Sequence, residues 1–291
     1  MNVISFDIEE WYINQQLRGP SEKYVECDRF LDDILNKLDE CSIKATFFCV
    51  GEMSKSFPKV IKSIHQRGHE IGCHSNIHSW LNKMTKAECR EDTHHAVDNL
   101  EQCIGEKVKS YRAPAFSIGD NNKWVFEILA ENGIERDSSV FPASREFGGF
   151  VSYPSETPGI IKYNGISIKE FPICTTKILG KNLAYAGGGY FRFFPLKFVK
   201  NKLNASDYSI VYFHIADVAR VFDKIMTKEE YENYFKENGT YFNRLKRYLK
   251  QNLGISGAYD KMCKLISECD FVNLSGADEM INWERIRPIE L

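Results

Sequence analysis

The sequence has no stretch near the roughly 18 consecutive apolar residues that a membrane-crossing helix needs. It has no C-x-x-C pair and no regular cysteine spacing, although nine cysteines are scattered along its 291 residues. An odd, unpatterned set, with Cys49 and Cys73 inside apolar runs, argues against a disulfide framework and for reduced, buried thiols. The opening segment, MNVISFDIEEWY, lacks the basic stretch, long apolar centre and cleavage motif of a secretory leader. These absences lead to the expectation of a cytoplasmic protein, with action at the inner face of a membrane still open. Charge of one sign is not in excess either. With 38 basic and 40 acidic residues the net charge is -2, which gives no reason to expect a nucleic-acid partner. Basic runs such as LKRYLK (Leu245 to Lys250) are broken by apolar residues at helical spacing and read as the wet face of a helix. No repeat, low-complexity tract or Pro-, Ser- or charge-rich linker divides the chain, so residues 1–291 are expected to form one domain.

What is present is the balance of a folded protein, 43% hydrophobic and 27% charged. The first half alternates two periodicities. Short β-rich runs (Asn2 to Ile8, Ile43 to Gly51, His69 to His74, Lys107 to Pro114, Ile134 to Val140) are separated by segments with helical spacing (Cys27 to Cys41, Phe57 to Gly68, Thr85 to Gly105, Asn122 to Gly133). This β-α order predicts a parallel sheet with helices outside it. Phe141 to Arg192 is rich in Gly, Pro and aromatics and reads as long loops around one strand, Ile166 to Ile173. Regular order returns with a buried strand, Tyr208 to Ile215. Helices from about Lys228 to Asn252 and Tyr259 to Cys269 follow, then a last strand, Asp270 to Leu274.

Chemistry-bearing residues fall where these strands end. Asp7 closes the first strand, with Glu9 just beyond; His74 closes the third, with His78 four residues on; Arg112 closes the fourth and His214 the late buried strand. Asp137 lies near the start of the fifth. In parallel α/β barrels the active site gathers at the carboxyl ends of the strands, so these groups are expected to converge. Two imidazoles and one carboxylate form a common catalytic zinc set with a position left for water. A second carboxylate could take a proton from that water, and a separate histidine could protonate a leaving group. Each residue also has a plainer reading. The histidines could be a hydrogen-bonded loop pair, Asp137 could cap the DSSV turn, and Trp11, Tyr12, Trp80, Tyr190 and Phe191 could be packing residues rather than a ligand platform.

The segments SFDIEEWY, TFFCVG, HEIGCHSNIHSW, YRAPAF, DSSVFP and YFHIADV occur in the order seen in polysaccharide deacetylases of carbohydrate esterase family 4, which the chain resembles from Ile4 to at least Asp217. It most resembles the branch with an FDxEDW-like first motif and a GGGYFR loop, here Gly187 to Arg192. The resemblance implies a distorted (β/α) barrel of about seven strands. It implies that Asp7 is the general base, that His74 and His78 bind a divalent metal, and that Arg112 tethers the base. The Ala115 N–H would help hold the oxyanion, Asp137 would orient the catalytic histidine, and His214 would be the general acid. The implied reaction is removal of an N-acetyl group from an amino sugar.

Two departures from the family pattern matter. Ile8 stands where the family has a metal-binding aspartate. Residues i and i+2 of a strand face the same side, which favours Glu9 as the third ligand over Glu10. FHIAD also replaces the usual proline and aromatic after the histidine. Zinc suits the ligand set, and cobalt or nickel do too. The expected substrate is an N-acetylated amino sugar on a nucleotide or lipid carrier, a precursor of a surface polysaccharide. The competing functions are an allantoinase-like amidohydrolase, an O-deacetylase, and an inactive carbohydrate-binding protein.

Overall fold

Strand β1 (Asn2–Ile8) has six of its seven residues buried, as a strand covered on both faces must. The computed structural model describes residues 1–18, 23–178, 180–220, 224–235 and 237–291. Ten further strands follow: β2 (Thr46–Cys49), β3 (Glu70–Cys73), β4 (Ser110–Tyr111), β5 (Arg136–Asp137), β6 (Gly159–Tyr163), β7 (Ile166–Glu170), β8 (Thr175–Ile178), β9 (Lys181–Ala184), β10 (Ser209–His214) and β11 (Ile289–Glu290). Nine of the eleven form one sheet in the order β10-β1-β2-β3-β4-β5-β7-β6-β11, and β8 and β9 pair separately. The seven adjacent strands from β10 to β7 all run parallel. The α/β class and the parallel sheet are therefore as expected. Among the described residues no ladder joins β10 to β11, so hydrogen bonds do not close the sheet into a barrel. Instead the β10 edge is extended by one bridge, from Gly187 to Tyr212.

Helices fill the expected intervals. The helix Lys86–Ile104 begins at a reciprocal capping box between Thr85 and Glu88 and ends at Gly105, whose φ of 77° favours glycine. A single apolar core runs from Val3 to Ala277, and all nine cysteines are free. No helix among the described residues is long and apolar enough to cross a membrane.

Four expectations need correction. The strands expected over Lys107 to Pro114 and Ile134 to Val140 shrink to two residues each, β4 and β5. Beyond them the chain leaves the ladder to form the site. The strand expected over Asp270 to Leu274 is a single bridge, Val3 to Val272, because the Asn273 side chain accepts from Gly276 N and starts the helix Leu274–Met280. Phe141 to Arg192 holds not one strand but four among the described residues, β6 to β9, and β6 and β7 form a hairpin that turns at the dipeptide Asn164-Gly165. Both residues take positive φ, 46° and 84°, as a tight two-residue hairpin turn requires.

Candidate active site

The parallel register decides which side chains can meet. Asp7 is level with His214 on β10 and with Phe48 on β2. Ile8, Cys49, Cys73, Tyr111, Asp137 and Glu170 form the next row across the sheet. Side chains alternate faces along a strand. Ser5, Asp7, Glu9, His74, Arg112, Ser138 and His214 thus belong to one face, and the row of Ile8 to the other. The contacts follow this division.

HSNIH is a loop, not a helical turn. Ser75 and His78 have φ of 59° and 55°, which folds the chain back so that the two imidazole rings lie 5.2 Å apart. Asp92, on the helix Lys86–Ile104, holds the loop by accepting from Asn76 N at 2.9 Å and Ile77 N at 3.3 Å. His74 Nδ1 lies 2.7 Å from the Arg112 carbonyl, to which it donates, leaving the Nε2 lone pair free. Tyr234 Oη lies 3.5 Å from His78 Nδ1. Glu9 Oε2 is 2.5 Å from His78 Nε2 and 3.4 Å from His74 Nε2.

The close contact to His78 lacks hydrogen-bond alignment, and His78 Nε2 is buried without a hydrogen-bond partner. Donor atoms gathered about a common point, rather than paired with each other, give that arrangement. One atom from each of Glu9, His74 and His78 lies within 4.8 Å of the others, and a divalent ion fits this donor set. Burial would raise the Glu9 carboxyl, but the neighbouring His78 and His214 outweigh it and hold it well below the usual carboxylate range.

Asp7 is buried against Arg112. Arg112 Nη1 donates to Asp7 Oδ1 and to Ser5 Oγ, both at 2.8 Å. Its other nitrogens donate to Ser138 Oγ at 2.9 Å and Ser138 O at 3.1 Å, and its guanidinium lies 4.2 Å from the Phe48 ring centre. Every side of this fully buried cation is occupied, which fixes the Asp7 carboxylate in place. Asp7 Oδ2 faces His214 Nε2 at 3.7 Å. His214 Nδ1 lies 2.8 Å from Asp217 Oδ2, which also accepts from His214 N. Burial alone would push the His214 imidazole down; the charges of Glu9, Asp217 and Asp7 outweigh it and hold it well above its ordinary value.

The place expected for Asp137 beside His214 is thus taken by Asp217. Asp137 sits in the row of Tyr111 and alternation turns it to the opposite face, where Ser139 Oγ donates to it at 2.5 Å. Ser139 Oγ in turn accepts from Ala113 N, so Asp137 braces the segment after Arg112. Asp137 is level with Glu170, and Asp137 Oδ2 and Glu170 Oε2 are both buried without a donor. One shared proton satisfies both atoms. Burial, and then the Asp137 charge, hold the Glu170 carboxyl well above its ordinary value. The folded chain therefore keeps a proton that the unfolded chain releases near pH 4.3. Stability falls as pH rises from there to the raised folded value, at up to about 1.4 kcal/mol per pH unit. Glu170→Gln supplies a permanent donor to Asp137 and removes this term. Urea unfolding at several pH values is expected to show the variant gaining on the parent as pH rises above the acid range. A constant difference between them would show that no proton is shared.

The functional groups open into a cavity of about 410 Å³. Trp80, whose ring centre lies 4.4 Å from that of Phe147 with the planes tilted by 30°, and Tyr190 line it, whereas Trp11 and Phe191 are fully buried packing residues. Ala115 lines it too, with a left-handed φ of 54°. Gly148 backs that turn: a Cβ there would lie 2.5 Å from Ala115 O and 2.3 Å from Phe116 O. Gly187 makes room for Tyr212, whose ring a Cβ would meet at 2.1 Å. Asp217, Tyr234 and Asp92 were missed in the sequence. Only Asp217 left a local signal, three residues after His214 in FHIAD.

Residues 19–136 match the model of the family described as polysaccharide deacetylase. Residues 138–277 match a domain of unknown function, DUF3473. The seam falls at β5, yet the cluster draws on both sides of it. His74, His78, Arg112 and Ala115 lie in the first stretch, His214 and Asp217 in the second, and Asp7 and Glu9 precede both. A peptidoglycan-N-acetylglucosamine deacetylase of Bacillus cereus is 36% identical over 99 residues, 34% of this chain and 36% of its own length. The chain thus spans little more than a third of that relative. A chitin deacetylase of Cryptococcus neoformans is 28% identical over 101 residues, 35% of this chain and 21% of its own. A Mycobacterium smegmatis structure, named as a candidate polysaccharide deacetylase, covers 100% of this chain and 92% of its own, with a TM-score of 0.63 at 18% identity. The last likeness is one of fold.

Proposed function

We propose that the chain is a metal-dependent hydrolase that removes the acetyl group from an N-acetylated amino sugar. The observation that carries this is the convergence, on one cavity, of Glu9, His74 and His78 with two further groups suited to proton transfer, Asp7 and His214. Glu9, His74 and His78 would hold a divalent ion, zinc above all, which would supply Lewis acidity to an acyl carbonyl and to a water nucleophile. Asp7 is the general base, its free oxygen facing the cluster while Arg112 holds the other. The Ala115 N–H stabilises the oxyanion. His214, oriented by Asp217, protonates the departing amine as the carbon–nitrogen bond breaks. Acetate and a free amino sugar leave.

The first motif and the GGGYFR loop support membership of the FDxEDW-like branch, with residues 1–291 acting as one domain. The nine free thiols suit a reducing compartment, and hence a cytoplasmic precursor of a surface polysaccharide, carried on a nucleotide or lipid. The test is a substrate panel of N-acetyl amino sugars, O-acetyl sugars and cyclic amides, read for acetate and for new primary amine. Acetate and amine released together from the first class are expected. Acetate without amine would assign an O-deacetylase, and ring opening of the cyclic amides an allantoinase-like enzyme. Sugar binding with no turnover of any substrate would leave a binding protein.

A further inference from the structure

The helix Tyr241–Asn252, which contains the basic run noted in the sequence, is turned the unexpected way. It buries no residue fully. Phe242 is 72% exposed, Leu249 53%, and Leu253, just past its end, 60%. These three lie at i, i+7 and i+11 and form one stripe. The two arginines hold the helix to the body instead, Lys250 pairs with Glu146 at 2.7 Å, and Lys246 is exposed. Arg244 donates to Gly239 O and Met226 O, and the Arg247 guanidinium lies 4.3 Å from the Phe235 ring centre. Arg192, from the GGGYFR loop, donates to the Lys250 and Gln251 carbonyls at 2.7 Å each and clamps the carboxyl end. An ordinary surface helix buries its apolar stripe and wets its charges; this one presents the stripe to solvent.

The stripe continues into Phe193, which is 55% exposed and packs on Gly254. The surface therefore reaches the rim of the cavity, which Phe193, Arg247 and Lys250 help to line. The helix carries four cations, Arg244, Lys246, Arg247 and Lys250, and no acid. We propose that this face docks on an anionic lipid surface. Phe242, Leu249, Leu253 and Phe193 enter the boundary between headgroups and acyl chains, the exposed Lys246 beside them meets the headgroup phosphates, and the cavity opens at the membrane. A second copy of the chain fits less well, because a two-fold contact would set the same cations against each other. The docking is independent of the chemistry proposed for the cavity.

The test is co-sedimentation of the full chain with vesicles of phosphatidylcholine alone and of equal parts phosphatidylcholine and phosphatidylglycerol. Binding to the anionic vesicles, weakened by salt, is expected. The double variant F242S/L249S should lose most of it while keeping the parent's melting temperature. In a separate variant, Phe242→Trp, the added tryptophan emission should shift to the blue when anionic vesicles are mixed in. No binding by the parent, or binding unchanged in the double variant with no shift in Phe242→Trp, would overturn the proposal. So would a dimer in sedimentation velocity that F242S/L249S dissolves while vesicles stay unbound.

Discussion

Replacing Asp7 with asparagine is expected to lower kcat about 10²–10⁴-fold, the usual contribution of a general base. Asparagine keeps the shape and leaves one oxygen for Arg112 Nη1, but the nitrogen in the Oδ2 position cannot accept a proton. Because Asp7 touches none of Glu9, His74 or His78 as a ligand partner, metal content should be unchanged. The variant also leaves the Arg112 charge buried without its counter-ion. Breaking such a pair costs about 3–5 kcal/mol, and the remaining bonds to Ser5 and Ser138 favour the lower end. The assay must therefore run well below the variant's melting temperature, with urea unfolding measured alongside. Turnover at the parent's rate by a folded Asp7→Asn would remove Asp7 from the mechanism.

The purified, untagged protein is expected to carry about one divalent ion per chain, zinc, cobalt or nickel, and His74→Ala to carry almost none. His74 is the better position to change because its tautomer is set by the backbone: Nδ1 is committed to the Arg112 carbonyl and only Nε2 remains for a ligand role. Losing it leaves two donors on one side of the site. Metal that binds only the folded chain also stabilises it, by about 4 kcal/mol when present at a thousand times its dissociation constant. Thermal unfolding with and without added zinc should show that gain in the parent and little of it in His74→Ala. Elemental analysis reads occupancy directly and does not depend on knowing the substrate. A parent that takes up no metal even after soaking would end the metal-dependent reading and leave Asp7 and His214 to be explained by other chemistry.

Much of the cluster is legible in the chain's strand pattern. Asp7, His74, Arg112 and His214 each follow a β-rich run, and in a parallel sheet the ends of such runs lie together whatever separates them in the chain. Glu9 is legible through alternation, since it stands two residues beyond Asp7. Alternation also carries the correction for Asp137. Its register with Tyr111, known only from the sheet, places it one residue short of Arg112 and so on the other face.

By itself the sequence determined what is local: the order of strands and helices, the residues at strand ends, the capping of the helix after Thr85, and the donor types for a metal. The tertiary structure decided what depends on packing between distant elements. It set Asp217 rather than Asp137 behind His214, and Asp92 behind the HSNIH loop. It also brought Tyr234 to His78. It turned the apolar stripe of the helix Tyr241–Asn252 outward, which periodicity alone could not reveal. Spacing along a chain states that a helix has two faces. Which face meets the body is settled by partners elsewhere, here Arg192 and the rings of Phe147 and Phe235, which hold the basic side.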